Sequence, residues 1–244
     1  MNWNEIKIRC SALSSLFTEP QSKEDKAAGR LSATAKKYLH KIYVEELWGK
    51  RRDITSKEME KGILCEPSAI EMLSLLDDAT YEKNEEQREN DFLKGTADII
   101  TETEIFDVKC SYDAETFIPN ITEALNKDYK YQMQGYLHLW DKPQGRVRYC
   151  LISAPIEILK RELYYLFNKL NCATEESPEY IMAAADVNFN LTFDEIPIEH
   201  RVIDIIVERD AEIIAEIPSK VAKAREYLAE LHSIHMSLNK KQLA

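Results

Sequence analysis

The chain has 244 residues, a formal charge of −11 and a hydrophobic fraction of 44%. That suffices to bury a full core in one large domain or two small ones. The acidic balance excludes a broadly basic nucleic-acid coat, but not an enzyme that concentrates positive charge in one channel.

No run approaches the roughly 18–20 apolar residues of a membrane span. The N-terminal MNWNEIKIRC lacks the basic-then-apolar pattern of a secretion signal. The five cysteines (Cys10, Cys65, Cys110, Cys150 and Cys172) are scattered without a C-x-x-C pair, which argues against a disulfide framework and against zinc or iron–sulfur sites. These features predict an intracellular protein with no membrane partner. The basic clusters Lys36-Lys37, Lys50-Arg51-Arg52, Lys127 with Lys130 and Arg146 with Arg148 each read, taken singly, as solvated faces.

In chain order, Ile6–Thr18 mixes an arginine and several serines with an apolar pattern, where Ser11, Ser14 and Ser15 could cap a helix beginning nearby, and Glu19–Gly29 reads as a loop. Ser32 opens a clear helix, with Leu39, Ile42, Tyr43 and Leu47 near the helical period and Gly49 as its stop. Asp53–Gly62 reads as helical with a glycine break. A further helix is predicted over Glu66–Leu76, with Pro67 at its first position and Ala69, Ile70, Leu73 and Leu76 as a core stripe. The charged Tyr81–Lys94 reads as a strand, a loop and a return. Thr116–Asn120 reads as a loop around Pro119, Lys127–Trp140 as a helix despite Gly135, Arg146–Ser153 as a strand and Glu157–Leu170 as a helix. Phe189–His200 alternates in character, and Val202–Leu238 reads as a long helical region broken near Pro218. With no repeat and no linker, one α/β domain over residues 1–244 is the simplest organisation, its core spanning about 6–200 and a helical extension about 201–244.

The chemistry concentrates in Lys94–Ser111, KGTADIITETEIFDVKCS. Asp98 precedes Ile99-Ile100 and Asp107 follows Ile105-Phe106, so both carboxylates interrupt strand-forming runs. Thr101–Glu104 reads as a tight turn without an Asn-Gly signal. The two-residue period of a strand puts Asp107 and Lys109 on one face, with Val108 and Cys110 on the other. Glu66 adds a third acid from a helix start, a position that the helix dipole alone also favours. Glu71 lies about 140° round the helix from Glu66 and is the weaker rival. Magnesium takes carboxylates, carbonyls and water, so Glu66, Asp98, Asp107 and the backbone carbonyl of Val108 are candidate ligands. Two such ions can cleave a phosphodiester, with Lys109 holding or deprotonating the attacking water and offsetting charge. Gln132 and Tyr136 share a helix face, while Gln134 lies on another. Arg9 with Ser11 and Ser14 suits a phosphate, although serines before a helix are also ordinary caps. His232 and His235, three residues apart, could hold a metal, with a surface tail helix as the plainer reading.

The set Gly62-x-x-x-Glu66, Gly95-Thr-Ala-Asp98, Phe106-Asp107-Val-Lys109-Cys110 and Tyr131-Gln132-Met-Gln134-Gly-Tyr136 resembles the PD-(D/E)XK nucleases, and within them the lambda-exonuclease/YqaJ-type phage recombination exonucleases. The resemblance runs from about Ile6 to Ser153. It implies a restriction-endonuclease-like fold, with a mixed central β-sheet flanked by helices and helical N- and C-terminal segments. It further implies catalytic Glu66, Asp98, Asp107, Lys109 and Gln132, a cofactor of Mg2+ or Mn2+ with two ions per site, and substrate contacts from Gln134 and Tyr136. Ile8-Arg9-Cys10-Ser11-x-x-Ser14 is similar to that family's segment contacting a 5′-phosphate. The activity implied is 5′-to-3′ digestion of linear duplex DNA, feeding a single-strand annealing protein and carried out by a ring-shaped homotrimer. An endonuclease or single-strand nuclease on the same fold, or a non-catalytic DNA-binding module, are the alternatives. Asp rather than Glu at 107 is a shorter ligand, and the cysteine cluster of the iron–sulfur relatives is absent.

Overall fold

A computed structural model describes residues 2–51 and 56–242. Arg52 of the expected basic cluster, and residues 53–55 of the expected 53–62 helix, lie outside the described residues. The strands are β1 (Ile8–Arg9), β2 (Arg88–Glu89), β3 (Leu93–Gly95), β4 (Ile99–Ile100), β5 (Glu104–Cys110), β6 (Gln144–Cys150) and β7 (Val202–Glu208). The helices are α1 (Lys23–Ala27), α2 (Ala33–Trp48), α3 (Lys57–Leu76), α4 (Ala114–Phe117), α5 (Lys127–Leu139), α6 (Ile156–Leu170), α7 (Pro178–Leu191) and α8 (Ala211–Gln242).

The expected mixed, helix-flanked sheet is present as β4-β5-β6-β7, accompanied by a small mixed sheet in the order β1-β3-β2. β4 and β5 form the anticipated hairpin. Its turn is closed not by Asn-Gly but by Thr101, whose backbone N–H donates to the Glu104 carbonyl (2.9 Å) and whose hydroxyl accepts from the Glu104 N–H (2.9 Å). β5 runs parallel to β6, pairing Asp107 with Val147 and Lys109 with Tyr149, so the chain must cross over between them and does so through α4 and α5.

The pleat divides this sheet. Ile105, Val147 and Tyr149 join Met133 and Leu137 of α5 in the main core. Phe106, Val108 and Cys150 pack with Cys65, Ala69, Ile70 and Leu73 of α3 in a second. Asp107 and Lys109 share the α5 face, as the two-residue period requires, and Cys110 packs with the α3 cluster.

Local signals account for the framing helices. Ser32 caps α2 by accepting from the Ala35 N–H, and Gly49 ends it in the left-handed conformation (φ 62°) that lacks a Cβ penalty. Gly135 sits mid-helix in α5 because the chain approaches closely there: a Cβ would lie 2.8 Å from the Cys10 sulfur.

Several elements differ from expectation. α3 begins at Lys57, capped by Ser56, and runs unbroken past Gly62 and Pro67. The Pro67 ring sits on the exposed side, where water can take the carbonyl hydrogen bond that proline cannot. Glu66 is therefore mid-helix, and the helix dipole does not explain it. Cys10–Phe17 is a 3-10 helix preceded by β1, without a serine side-chain cap. α1, capped by Ser22, interrupts the expected loop at Glu19–Gly29. α4 and a 3-10 turn at Ile118–Ile121 replace the loop around Pro119. α7 carries Phe189 and begins on Pro178, where proline is harmless. Val202–Glu208 is strand rather than helix, and α8 then continues through Pro218. No helix of the described residues is long and apolar enough to cross a membrane.

Candidate active site

The centre of the site is the Asp107 carboxylate, 1% exposed and held from two sides. Lys109, two residues along the same strand face, brings its Nζ to 2.7 Å from Oδ2. Gln132 of α5 donates its amide to Oδ1 at 2.9 Å. A carboxylate only accepts, so the NH2 of Gln132 must face Asp107. The same NH2 also donates to the Tyr136 hydroxyl at 3.0 Å, one helical turn on. The expected shared face of Gln132 and Tyr136 is thus a connected, buried network beneath the strand.

Asp98 lies just before β4 and turns back onto β5. Its Oδ2 accepts the Val108 N–H at 2.7 Å, extending the hairpin ladder with a side chain where β4 has not yet begun. In a strand the N–H and C=O of one residue point to the same edge. The Val108 carbonyl therefore faces the edge that Asp98 occupies. Burial drives the Asp98 pKa up to about 7, and the neighbouring Asp107 charge adds to this; Lys109 and the Val108 N–H work the other way. Burial pulls the Lys109 pKa down, but the charges of Asp107 and Asp98 outweigh it and hold the amine above its ordinary range. Lys109 is accordingly an ammonium here, a donor and charge balance rather than a free base. Its Nζ also lies 4.9 Å from the centre of the Tyr129 ring. The Tyr136 phenol is driven up by burial and by Asp107 and stays neutral.

Glu66 approaches from α3. Its Oε2 accepts from Lys83 at 2.9 Å, while Oε1 is buried without a hydrogen-bond partner. Among the described residues no three His, Cys, Asp or Glu side chains form a ready-made metal cluster. The acids are instead neutralised one by one, Asp107 by Lys109 and Glu66 by Lys83. The donor chemistry still fits a hard divalent cation. Glu66 offers an unsatisfied oxygen, and Asp98 feels the charges of both Asp107 and Glu66, a repulsion that a cation would relieve.

The remaining expected residues lie elsewhere. Arg9 pairs with Lys94 across β1–β3 and puts its guanidinium on Glu45, at 2.6 Å. Ser11 and Ser14 sit on the 3-10 helix, whose Cys10 contacts α5. The structure joins none of the three to the acids by a hydrogen bond. Gln134 is turned away from the site: its NH2 donates to the Glu208 carbonyl and its oxygen accepts from the Asp210 N–H, tying α5 to the end of β7. His232 and His235 both meet the Tyr43 hydroxyl (3.1 and 2.8 Å) in the α2–α8 seam, which makes them packing groups. Two contacts escaped the sequence reading. Lys83 lies in a charged run that gave no sign of its partner, and Tyr129 was legible only as one of several aromatic residues on α5.

No protein-family model and no curated protein matches the chain. A solved structure of a phage-related exonuclease from Haemophilus somnus 129PT superposes with a TM-score of 0.74 at 30% identity, over 95% of this chain and 97% of that one. The chain belongs to the phage-related exonuclease family. An alkaline exonuclease, LHK-Exo, from Laribacter hongkongensis shares the fold at a TM-score of 0.64 and 16% identity, over 99% of this chain and 98% of that one. A second LHK-Exo structure, in complex with dAMP, matches at a TM-score of 0.63 and 16% identity, over 98% of this chain and 95% of that one.

Proposed function

We propose that this protein is a metal-dependent deoxyribonuclease of the PD-(D/E)XK type, acting as an exonuclease on linear duplex DNA. The observation that carries this reading is the Asp107 carboxylate, clamped between the Lys109 ammonium and the Gln132 amide beside Asp98. Glu66, Asp98, Asp107 and the Val108 carbonyl would hold one or two Mg2+ or Mn2+ ions. A bound ion would polarise the scissile phosphate and lower the pKa of attacking water.

The chain's own groups supply the rest. Lys109 would donate to a phosphate oxygen and balance the charge that grows there during attack. Gln132 fixes the orientation of Asp107, and Tyr136 in turn fixes Gln132. Digestion from a 5′-phosphorylated end, with Arg9, Ser11 and Ser14 near that end, follows from the family resemblance. So do a ring-shaped homotrimer and a single-strand annealing partner in phage-type recombination within the cytoplasm.

The test uses end-labelled linear duplex and closed circular DNA, each with Mg2+ and with a chelator. Mg2+-dependent loss of the linear substrate alone is expected, with faster release from 5′-phosphorylated ends. Cutting of the closed circle would replace the exonuclease with an endonuclease, and no cleavage of either would overturn the reading.

A further inference from the structure

A cavity of about 300 Å3 opens where β5 ends; Lys109 lines one side of it, and the proposed chemistry assigns no role to its other walls. That volume is at the small end of ligand pockets. Its walls include the rings of Tyr112, Tyr129 and Tyr149, together with Asn120 and Glu123.

These walls are fixed in place. The buried Lys61 ammonium donates to the carbonyls of Ser111 (3.0 Å) and Tyr112 (2.6 Å) and sits 5.7 Å from the centre of the Tyr112 ring. The Tyr129 ring meets both Lys109 and Tyr149, with the two tyrosine centroids 6.2 Å apart and tilted 59°. Asn120 spends its NH2 on the Thr116 and Phe117 carbonyls, so its side-chain oxygen is left as an acceptor.

The cation is at one side, in Lys109, while Glu58 and Glu123 line the cavity with negative charge. A second phosphate would be repelled there. A neutral heterocycle would find aromatic surface and acceptors for its amino or imino edge. We propose that this cavity is a nucleoside subsite, taking the base and sugar of the nucleotide whose phosphate lies against Lys109. The proposal deepens, and rests on, the phosphodiester-cleaving reading above.

Tyr112→Leu and Tyr129→Leu, each paired with its phenylalanine counterpart, test it in the full-length protein with Mg2+. On linear duplex the leucine variants should raise KM about tenfold while kcat changes much less. The phenylalanine variants, which keep the ring, should retain the wild-type KM. Thymidine 5′-monophosphate should inhibit the wild type at about tenfold lower concentration than inorganic phosphate does, and the leucine variants should lose that advantage. Unchanged KM in both leucine variants, or equal inhibition by the nucleotide and by phosphate alone, would overturn the subsite while leaving the nuclease reading intact. Should the wild type cleave no DNA, the nuclease reading fails. Calorimetric titration of wild type with thymidine 5′-monophosphate and with phosphate then decides the subsite: tighter nucleotide binding supports it and equal binding overturns it.

Discussion

Asp98→Asn separates what the site costs the fold from what it supplies to function. Asp98 is buried beside Asp107, and its folded-state pKa of about 7 stands above the ordinary 3.8. A carboxyl raised in this way favours the protonated form in the folded state. Between these two values the folded chain therefore binds more protons than the unfolded chain, and stability falls as pH rises. At about 1.4 kcal/mol per pKa unit the penalty is on the order of 4 kcal/mol at pH 8 and about 2 kcal/mol at pH 5, vanishing in stronger acid. Asparagine removes the charge yet keeps an oxygen to accept the Val108 N–H. In urea titrations without divalent ions, Asp98→Asn should be more stable than wild type by roughly 2–4 kcal/mol at pH 8, with the gap about halved at pH 5. The same variant should lose DNA cleavage. A variant less stable than wild type at pH 8, or a gap that does not shrink on acidification, would refute the reasoning.

Three further outcomes are expected. Gln132→Leu takes the amide from Asp107 and should lower kcat/KM on linear duplex by about 10- to 100-fold with an unchanged circular dichroism spectrum; wild-type kcat/KM would show that Asp107 needs no such support. Arg148, 1% exposed, bonds the carboxylates of both Asp77 and Asp204 and so ties the end of α3 to β6 and β7. Arg148→Met should cost about 3 kcal/mol in urea unfolding, and an unmoved midpoint would contradict this. Gly135→Ala should destabilise by about 1–3 kcal/mol through contact with Cys10, although an open helix site would gain about 1 kcal/mol.

The hairpin and the placement of its charged side chains were legible because their signals are local. Apolar runs flank Asp98 and Asp107, and a period of two sets Asp107 and Lys109 on one face. The Gln132–Tyr136 pair follows from a single helical turn. What misled was punctuation that tertiary packing overrode. Pro67 and Gly62 look like a helix boundary, yet the stripe Cys65, Ala69, Ile70 and Leu73 is buried against β5 and β6 and carries the helix across both. Ile205-Ile206 and Ile213-Ile214 imitate a helical period, but β7 pairs along its length with β6, some 60 residues distant in sequence. Gln134 shows the limit for side chains. Motif position put it near the substrate, whereas its amide satisfies backbone groups at the end of β7 and the start of α8.

The central claim is that Asp107 and Lys109 perform phosphodiester hydrolysis. Its most direct test is the initial rate of Mg2+-dependent degradation of end-labelled linear duplex by wild type, Asp107→Asn and Lys109→Met, with folding of each checked by circular dichroism. The account predicts that wild type degrades the duplex and that each variant is slower by at least about a hundredfold. Equal rates in all three, or no degradation by the wild type, would contradict it.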